Sequence, residues 1–294
     1  WYNKKSPQLK DIKGITYYHS GKITRNEPRK VTVDLDIFPI PDRSLNVDRQ
    51  MPGVENLVTG RGCVYQCAFC HEGVSDSFYR ARSVDNVVEE IKMLLQTRKP
   101  YYITILDDVF MLNHNRVIEF CEKISALREQ FYDFAWYCEA RADIIVKHPE
   151  MIQAAVKAGM ARIQIGIESG NQFILDSYRK NLTLEDIRDA VRICSEYGVL
   201  SIVGNFIIGG AHESKQTIEE SIKFAENLLE IGKGRIDIIT TLYTPYPGTS
   251  MYNSPEQFGL EILDKECVTG PGDNYVFVKT KDLSKWEIFH YRQV

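Results

Sequence analysis

From about residue 53 onward, short apolar runs alternate with amphipathic helical stretches, and this alternation restricts the possible folds more than any other feature of the chain. Runs of strand length occur at Glu55–Thr59, Tyr101–Leu106, Phe134–Cys138, Ala161–Ile167, Leu200–Ile208 and Ile236–Leu242. Between the first two, Val84, Val87, Val88, Ile91, Leu94 and Leu95 make one helical stripe, and Asn115–Glu129, Glu150–Lys157, Leu184–Tyr197 and Thr217–Glu230 repeat the pattern. Ser83, Thr183 before Asp186, and Ser214 before Thr217 supply N-caps, while Gly159 and Gly198 end helices just ahead of strands. Six βα repeats in series imply parallel strands joined by right-handed crossovers. An open doubly wound nucleotide binder would show G-x-G-x-x-G after its first strand. Here that strand runs into Thr59-Gly60-Arg61-Gly62-Cys63, and six units fall short of the eight of a full barrel. The expected fold is α/β, a six-unit (β/α) partial TIM barrel over residues 53–252. A connector with a small β-hairpin is expected to precede it in 1–52, and an extension to follow in 253–294.

The loop after the first strand, Gly62-Cys63-Val64-Tyr65-Gln66-Cys67-Ala68-Phe69-Cys70-His71, carries three cysteines at C-x3-C-x2-C. Four thiolates close a metal site. Three on one short loop can hold three irons of a cubane 4Fe–4S cluster and leave the fourth iron open to a small chelator. A zinc knuckle is the competing reading, but zinc sites more often use C-x2-C pairs with a second pair or two histidines at a distance. The sequence has no second pair, and His71 adjoins Cys70 too closely to chelate easily with it. Cys121, Cys138, Cys194 and Cys267 are scattered singly, and Cys121 and Cys194 lie on helix stripes as small core residues.

In parallel α/β folds chemistry collects at the C-terminal ends of strands. Asp107 and Asp108 end the second run, Glu139 and Arg141 the third, and Glu168 and Ser169 the fourth. Gly209 and Gly210 end the fifth, and Pro245 and Pro247 follow the sixth. Each polar residue has a plain alternative: a salt bridge to a neighbouring helix for Glu168, helix capping for Asp107 and Asp108, and mutual pairing for Glu139 and Arg141. Phe69 reads either as an apolar wall of the site or as core packing. Ile165, Ile167 and Phe206 are expected to line the barrel interior.

The net charge of -4 and the lack of a long basic run argue against a nucleic-acid partner. No apolar run reaches the length of a membrane span, and unpaired cysteines suit a reducing cytoplasm. Gly14–Tyr18 and Lys30–Asp34 flank a polar turn around Ser20-Gly21-Lys22, which reads as the hairpin, and Phe38–Arg43 is a proline-stiffened connector. About fifty such residues rarely bury enough apolar surface to stand alone, so they are expected to pack against the barrel exterior or a preceding domain. The chain opens on Trp1 rather than Met, and Ser284-Lys285-Trp286-Glu287 has capping-box form close to Val294, so both ends are expected to be truncated.

With these strand ends placed, residues 53–252 resemble a radical S-adenosylmethionine (radical SAM) core. The cysteine loop with Phe69 is similar to the family signature. Gly166-Ile167-Glu168-Ser169-Gly170 resembles its strand-four motif, Gly204–Gly210 its strand-five segment, and Pro245-Tyr246-Pro247-Gly248-Thr249 its loop after strand six. Ala211-His212-Glu213-Ser214 departs from the family's Pro-Gly-Glu-Thr, and reads as a local turn variant. The resemblance implies Cys63, Cys67 and Cys70 as cluster ligands. It further implies cofactor contacts from Phe69, Asp108, Glu139, Arg141, Glu168, Ser169, Tyr246 and Gly248. Implied too are S-adenosylmethionine, a small-molecule or natural-product substrate, and an electron donor such as flavodoxin or ferredoxin.

Lys13–Tyr18, Val33–Asp36, Phe38–Arg43 and Asp107–Phe110 are similar to the subclass with an N-terminal cobalamin-binding domain. That subclass includes the anaerobic oxidative cyclase of chlorophyll synthesis, hopanoid-modifying enzymes and methylases. It implies such a domain before Trp1, absent from these residues, with its corrin over the barrel mouth. Cobalamin dependence of the full-length protein stays open at this point. So do a methylthiotransferase, which needs further cysteines upstream of Cys63, and a zinc-stabilised binding module.

Overall fold

The computed structural model describes residues 8–45, 52–75, 78–265 and 275–293. They fall into two units, one ending at Leu35 and the other beginning at Asp36. In the first, Thr16–His19 (β1) and Lys22–Arg25 (β2) pair antiparallel around Ser20 and Gly21, both at positive φ (49° and 79°), the geometry of a tight hairpin turn. Asn26 Nδ2 donates to Leu9 O and Ile12 O at 2.6 and 2.7 Å, fixing the chain entering the hairpin.

The second unit opens on a connector, followed by Val54–Leu57 (β3), Gly60–Arg61 (β4), Glu72–Ser75 (α1), Arg80–Ala81 (β5) and Val84–Thr97 (α2). Tyr102–Ile105 (β6), His114–Gln130 (α3), Ala135–Ala140 (β7), Ala142–Lys147 (α4), Pro149–Lys157 (α5) and Met160–Glu168 (β8) come next. Then follow Gln172–Ser177 (α6), Leu184–Glu196 (α7), Ser201–Ile208 (β9), Lys215–Gly232 (α8) and Ile236–Leu242 (β10). Ser250–Asn253 (α9), Leu260–Ile262 (β11), Val278–Thr280 (β12) and Lys285–Gln293 (α10) complete the chain.

Strands β3, β6, β7, β8, β9 and β10 form one parallel sheet in that order, the open partial barrel expected from the repeats. Sequential order with a helix after each strand is what right-handed crossovers generate. The expected caps form: Ser83 accepts from Asn86 N, and Thr183 and Ser214 each close a capping box. Gly159 and Gly198 take positive φ, as expected of helix-ending residues.

The main core lies between the sheet and its helices. Phe110, Phe120 and Trp136 meet edge to face with centroids 5.2–5.8 Å apart, and the buried Trp136 indole donates to Ala158 O at 2.9 Å. Cys121 and Cys194 are buried in this layer as expected. Ile165, Ile167 and Phe206 belong to it as well, packed with residues of α2, α3, α5 and α7. The expectation that they line the barrel interior is therefore corrected. In the strand register the opposite face carries Tyr137, Glu139, Arg162, Gln164, Gly166 and Asn205, so the interior is largely polar.

Connector residues within this unit grip the outside of the barrel. Arg43 donates to Asn56 O at 2.9 Å and reaches Glu90 Oε1 at 2.7 Å, and Arg82 binds the other Glu90 oxygen at 2.5 Å. Asp36 accepts from Ser83 N at 3.0 Å. At the other end, Ser284 and Glu287 form the expected capping contacts at 2.7–3.4 Å. Ile288 of that helix joins a second core with Ala68, Tyr178, Ile207, Tyr243 and Met251, so the C-terminal extension is built onto the strand-end side of the barrel. Among the described residues, no helix is long and apolar enough to cross a membrane.

Candidate functional site

The cysteine loop leaves β3 at the C-terminal edge of the sheet, and several side chains fix its start. Thr59 N and Oγ1 donate to Asp107 Oδ1 and Oδ2 at 2.6 and 2.5 Å, and Arg116 donates to Thr59 O and Oγ1 at 3.1 and 3.0 Å. Burial pushes the Asp107 carboxyl up, against the Thr59 and Gly60 hydrogen bonds that lower it. Asp108 Oδ2 accepts from Gly62 N at 3.2 Å. Helix α3 is capped by Asn113, so neither aspartate is its cap; both hold the strand-to-loop passage.

Beyond this anchor, Ala68 ties the loop to two other segments. Its N–H donates to Tyr178 O at 2.8 Å, and its carbonyl accepts from Met251 N at 3.1 Å. Cys63, Cys67 and Cys70 are each half-buried. Burial raises the thiols of Cys63 and Cys70, and backbone N–H groups of Tyr65 for the first and of Glu72 and Gly73 for the second oppose it. Such donors favour thiolate, the ligating form.

The chemistry of the donor set tests the group it would hold. Three half-buried thiols on one short loop, two of them facing backbone N–H donors that favour thiolate, suit three irons of a cubane.

The strand-four residues meet this loop through a local irregularity. The β8–β9 register shifts between Gly166 and Glu168, and Glu168 has φ of 67°. A non-glycine residue in the left-handed region costs roughly 1–3 kcal/mol and persists only where its surroundings enforce it. The carboxylate lies beside Gly166, two residues back along the strand and on the same face. There Glu168 Oε1 pairs with Lys180 Nζ at 2.5 Å, both side chains 7% exposed. A Cβ on Gly166 would strike the Glu168 carboxylate and lie 2.6 Å from Lys180 Nζ, so any side chain there would displace the ends of the pair. Lys180 also lies 5.9 Å from the Phe69 ring centroid, and Phe69 meets Tyr178 edge to face at 5.1 Å. Phe69 thus combines core packing with a face toward the charged pair.

Arg141 and Glu139 do not pair with each other, as the sequence allowed. Arg141 is stacked 3.6 Å from the Tyr65 ring centroid, reaches Asp143 Oδ1 at 3.1 Å and donates to Lys180 O at 2.7 Å. It bridges the cysteine loop and the Lys180 turn. Glu139 accepts from the Tyr137 hydroxyl at 3.2 Å. Burial raises its carboxyl, the Tyr137 hydrogen bond lowers it, and the negative charges of Asp108 and Glu168 raise it further.

Ser169 is drawn to helix α8: its hydroxyl lies 3.2 Å from Ser221 Oγ and accepts from Asn171 N at 3.2 Å. The loop after β10 meets the cysteine loop, where the Tyr246 ring lies 6.2 Å from that of His71, tilted by 50°. Gly248 takes φ of 92°, and a Cβ there would come within 3.3 Å of Val74. Lys180, Tyr65, Thr59 and Tyr178 were not singled out from sequence. None carries a local signal, because each acts on a partner from another segment.

The family model of the radical SAM superfamily matches residues 57–225. An uncharacterised methyltransferase of Pyrococcus horikoshii is 31% identical over 255 residues, which cover 84% of this chain and 53% of that protein. The anaerobic magnesium-protoporphyrin IX monomethyl ester cyclase of Cereibacter sphaeroides is 26% identical over 250 residues, 83% of this chain and 39% of the cyclase. The chain thus spans about half or less of these relatives' lengths. In fold it is similar to the cobalamin-dependent S-adenosylmethionine radical enzyme OxsB, with a TM-score of 0.73 at 21% identity, over 99% of this chain and 47% of OxsB. It is also similar to the radical S-adenosylmethionine methyltransferase TsrM of Kitasatospora setae, with a TM-score of 0.67 at 18% identity, over 88% and 53%. The cysteine loop, the strand-end residues around it and the match over most of the barrel lead to one conclusion: the chain belongs to the radical SAM superfamily.

Proposed function

We propose that this chain is the catalytic core of an enzyme that generates a substrate radical from S-adenosylmethionine. The observation that carries the reading is the meeting of the three-cysteine loop with the Glu168–Lys180 pair at the C-terminal edge of the sheet, with Phe69 between them. A 4Fe–4S cluster held by Cys63, Cys67 and Cys70 would supply the electron that cleaves S-adenosylmethionine to methionine and a 5′-deoxyadenosyl radical, which takes hydrogen from an unactivated C–H bond.

The residues of the chain bind, orient and exclude water. Glu168 Oε2 is buried and has no hydrogen-bond partner among the described residues, so it can accept from a polar group of the cofactor. Asp108 and Glu168 both act electrostatically on Glu139, with Lys180 opposing them, and these carboxylates suit the ammonium and sulfonium of S-adenosylmethionine. Phe69 and the Tyr246–Thr249 loop offer apolar and backbone surface for adenine. Tyr137, Glu139, Gln164 and Asn205 on the interior face favour a substrate that carries hydrogen-bonding groups.

The kinship with a methyltransferase and a cyclase, and the fold shared with two methyl-transfer or cobalamin-dependent enzymes, support a full-length protein that places cobalamin over this mouth. A small reductant protein of the flavodoxin or ferredoxin type would deliver electrons. The test is anaerobic reconstitution followed by reduction with dithionite in the presence of S-adenosylmethionine. About four irons per chain and release of 5′-deoxyadenosine are expected, both lost when any one of Cys63, Cys67 or Cys70 becomes Ala. Stoichiometric zinc in a colourless protein, or full iron occupancy in all three variants, would refute the reading. Turnover of the full-length protein with no bound cobalamin would remove the corrin from it.

A further inference from the structure

Away from the cysteine loop, the first turns of α3 and α5 bring two imidazoles and a carboxylate to one point. His114 Nε2 lies 3.0 Å from Glu150 Oε1, and His148 Nδ1 lies 3.3 Å from the same oxygen. The two imidazole centroids are 4.9 Å apart. Donor atoms of all three residues fall within 4.8 Å of one another, and among the described residues no other trio of His, Cys, Asp or Glu does so. A tetrahedral zinc with bonds of about 2.0–2.1 Å separates its donors by about 3.3 Å. Both edges that share Glu150 Oε1 already have nearly that length.

The hydrogen bonding of His114 adds a second, independent observation. Its Nδ1 lies 3.1 Å from Asn115 Oδ1. In the tautomer that donates to this oxygen, Nε2 presents a lone pair towards Glu150 Oε1 at 3.0 Å, an arrangement that a cation between the two would satisfy. A ligating histidine whose other nitrogen is tied to a carbonyl-type acceptor is the usual outer arrangement of a metal site. Imidazole with carboxylate suits a divalent first-row cation such as zinc better than magnesium or calcium.

We propose that His114, His148 and Glu150 form a zinc-type metal site that clips α3 to α5, with Asn115 orienting His114. All three ligands are partly exposed, which leaves a fourth coordination position to water or an incoming ligand. The two helices already pack against each other, so the ion would lock an existing contact. The site is separate from the cysteine loop and uses none of its residues.

The experiment is an anaerobic zinc titration of untagged, cluster-loaded, chelator-washed protein against a chromophoric zinc indicator. About one zinc per chain is expected in addition to the cluster iron. His148→Gln and Glu150→Gln should each weaken binding at least tenfold, and Asn115→Ala by about ten- to a hundredfold. Iron content should stay at the wild-type level in all three, which controls for folding. Failure of the cluster-loaded wild type to bind zinc in the micromolar range would overturn the proposal. So would zinc bound equally well by wild type, His148→Gln and Glu150→Gln, which would mark adventitious binding elsewhere.

Discussion

Lys180 Nζ stands 2.5 Å from Glu168 Oε1, twelve residues apart in sequence and both nearly excluded from solvent. One oxygen of the carboxylate is thereby neutralised, and the other, Oε2, is left buried without a partner among the described residues. Removing one member of a buried pair leaves an uncompensated charge, at a cost of about 3–5 kcal/mol. Lys180→Met should therefore lower the melting temperature strongly and weaken S-adenosylmethionine binding. The double change Lys180→Met with Glu168→Gln should recover most of the stability and none of the cofactor affinity. Thermal melts and equilibrium dialysis of cluster-loaded variants separate the two effects; recovery of both by the double variant would confine the pair to a structural role.

Gly166 and Ser169 lie on either side of Glu168, and the geometry assigns them unequal weight. Gly166→Ala puts a methyl group where the Glu168 carboxylate and Lys180 ammonium now meet, so affinity for S-adenosylmethionine should fall by tenfold or more. Ser169→Ala loses contacts to Ser221 and Asn171 and should cost about 1 kcal/mol of stability, with cofactor affinity within a few-fold of wild type. A larger loss of affinity in Ser169→Ala than in Gly166→Ala would reverse this ranking.

The contrast between these neighbours shows what a sequence can and cannot convey here. Strand β8 was expected at Ala161–Ile167 and runs Met160–Glu168, because apolar runs, caps and helix-ending glycines are local signals. The cysteine loop was equally legible, since its ligands lie within eight residues. The face of each strand was not. A strand of a parallel sheet can read as a near-continuous apolar run, which does not tell interior from helix side, and Ile165, Ile167 and Phe206 were assigned to the wrong one. Helices α4 and α6 have six residues each, too few to display a helical period. Lys180 sits in a turn whose left-handed residues are Arg179 and Asn181 (φ of 53° and 52°), and no glycine or proline marks it.

Asp107 anchors the cysteine loop from outside it. Its two carboxylate oxygens accept both donors of Thr59, the residue from which the chain enters the loop. Asp107→Ala leaves the buried Thr59 amide without this acceptor, a loss of about 1–3 kcal/mol concentrated at the strand end. Iron incorporation after reconstitution should fall well below wild type although all three cysteines are intact. Asp107→Asn retains an acceptor and should load more iron than Asp107→Ala. Equal, full loading of both variants would show that the loop holds its shape without this anchor.

Glu213 should give the fold a pH dependence that starts below neutrality. It is buried at the turn after β9, where its carboxylate accepts from Gly209 N. Burial raises its pKa from 4.5 to about 7, with the Gly209 and Gly210 N–H groups opposing the rise. Below pH 4.5 the carboxyl is protonated in both folded and unfolded chains, and its contribution to stability is then fully present. As pH climbs from 4.5 towards 7 the unfolded chain releases the proton while the folded one keeps it, so stability falls, and above about 7 the loss levels off. The total is about 3 kcal/mol at most. Glu213→Gln cannot titrate there, so the wild type's melting temperature relative to this variant should decline by several degrees between pH 5 and 7.5, with little change beyond. Parallel melting curves for the two proteins across that range would decide it. A difference that stays flat, or that grows in favour of the wild type as pH rises, would mean that Glu213 is ionised in the folded protein and held by its backbone donors instead.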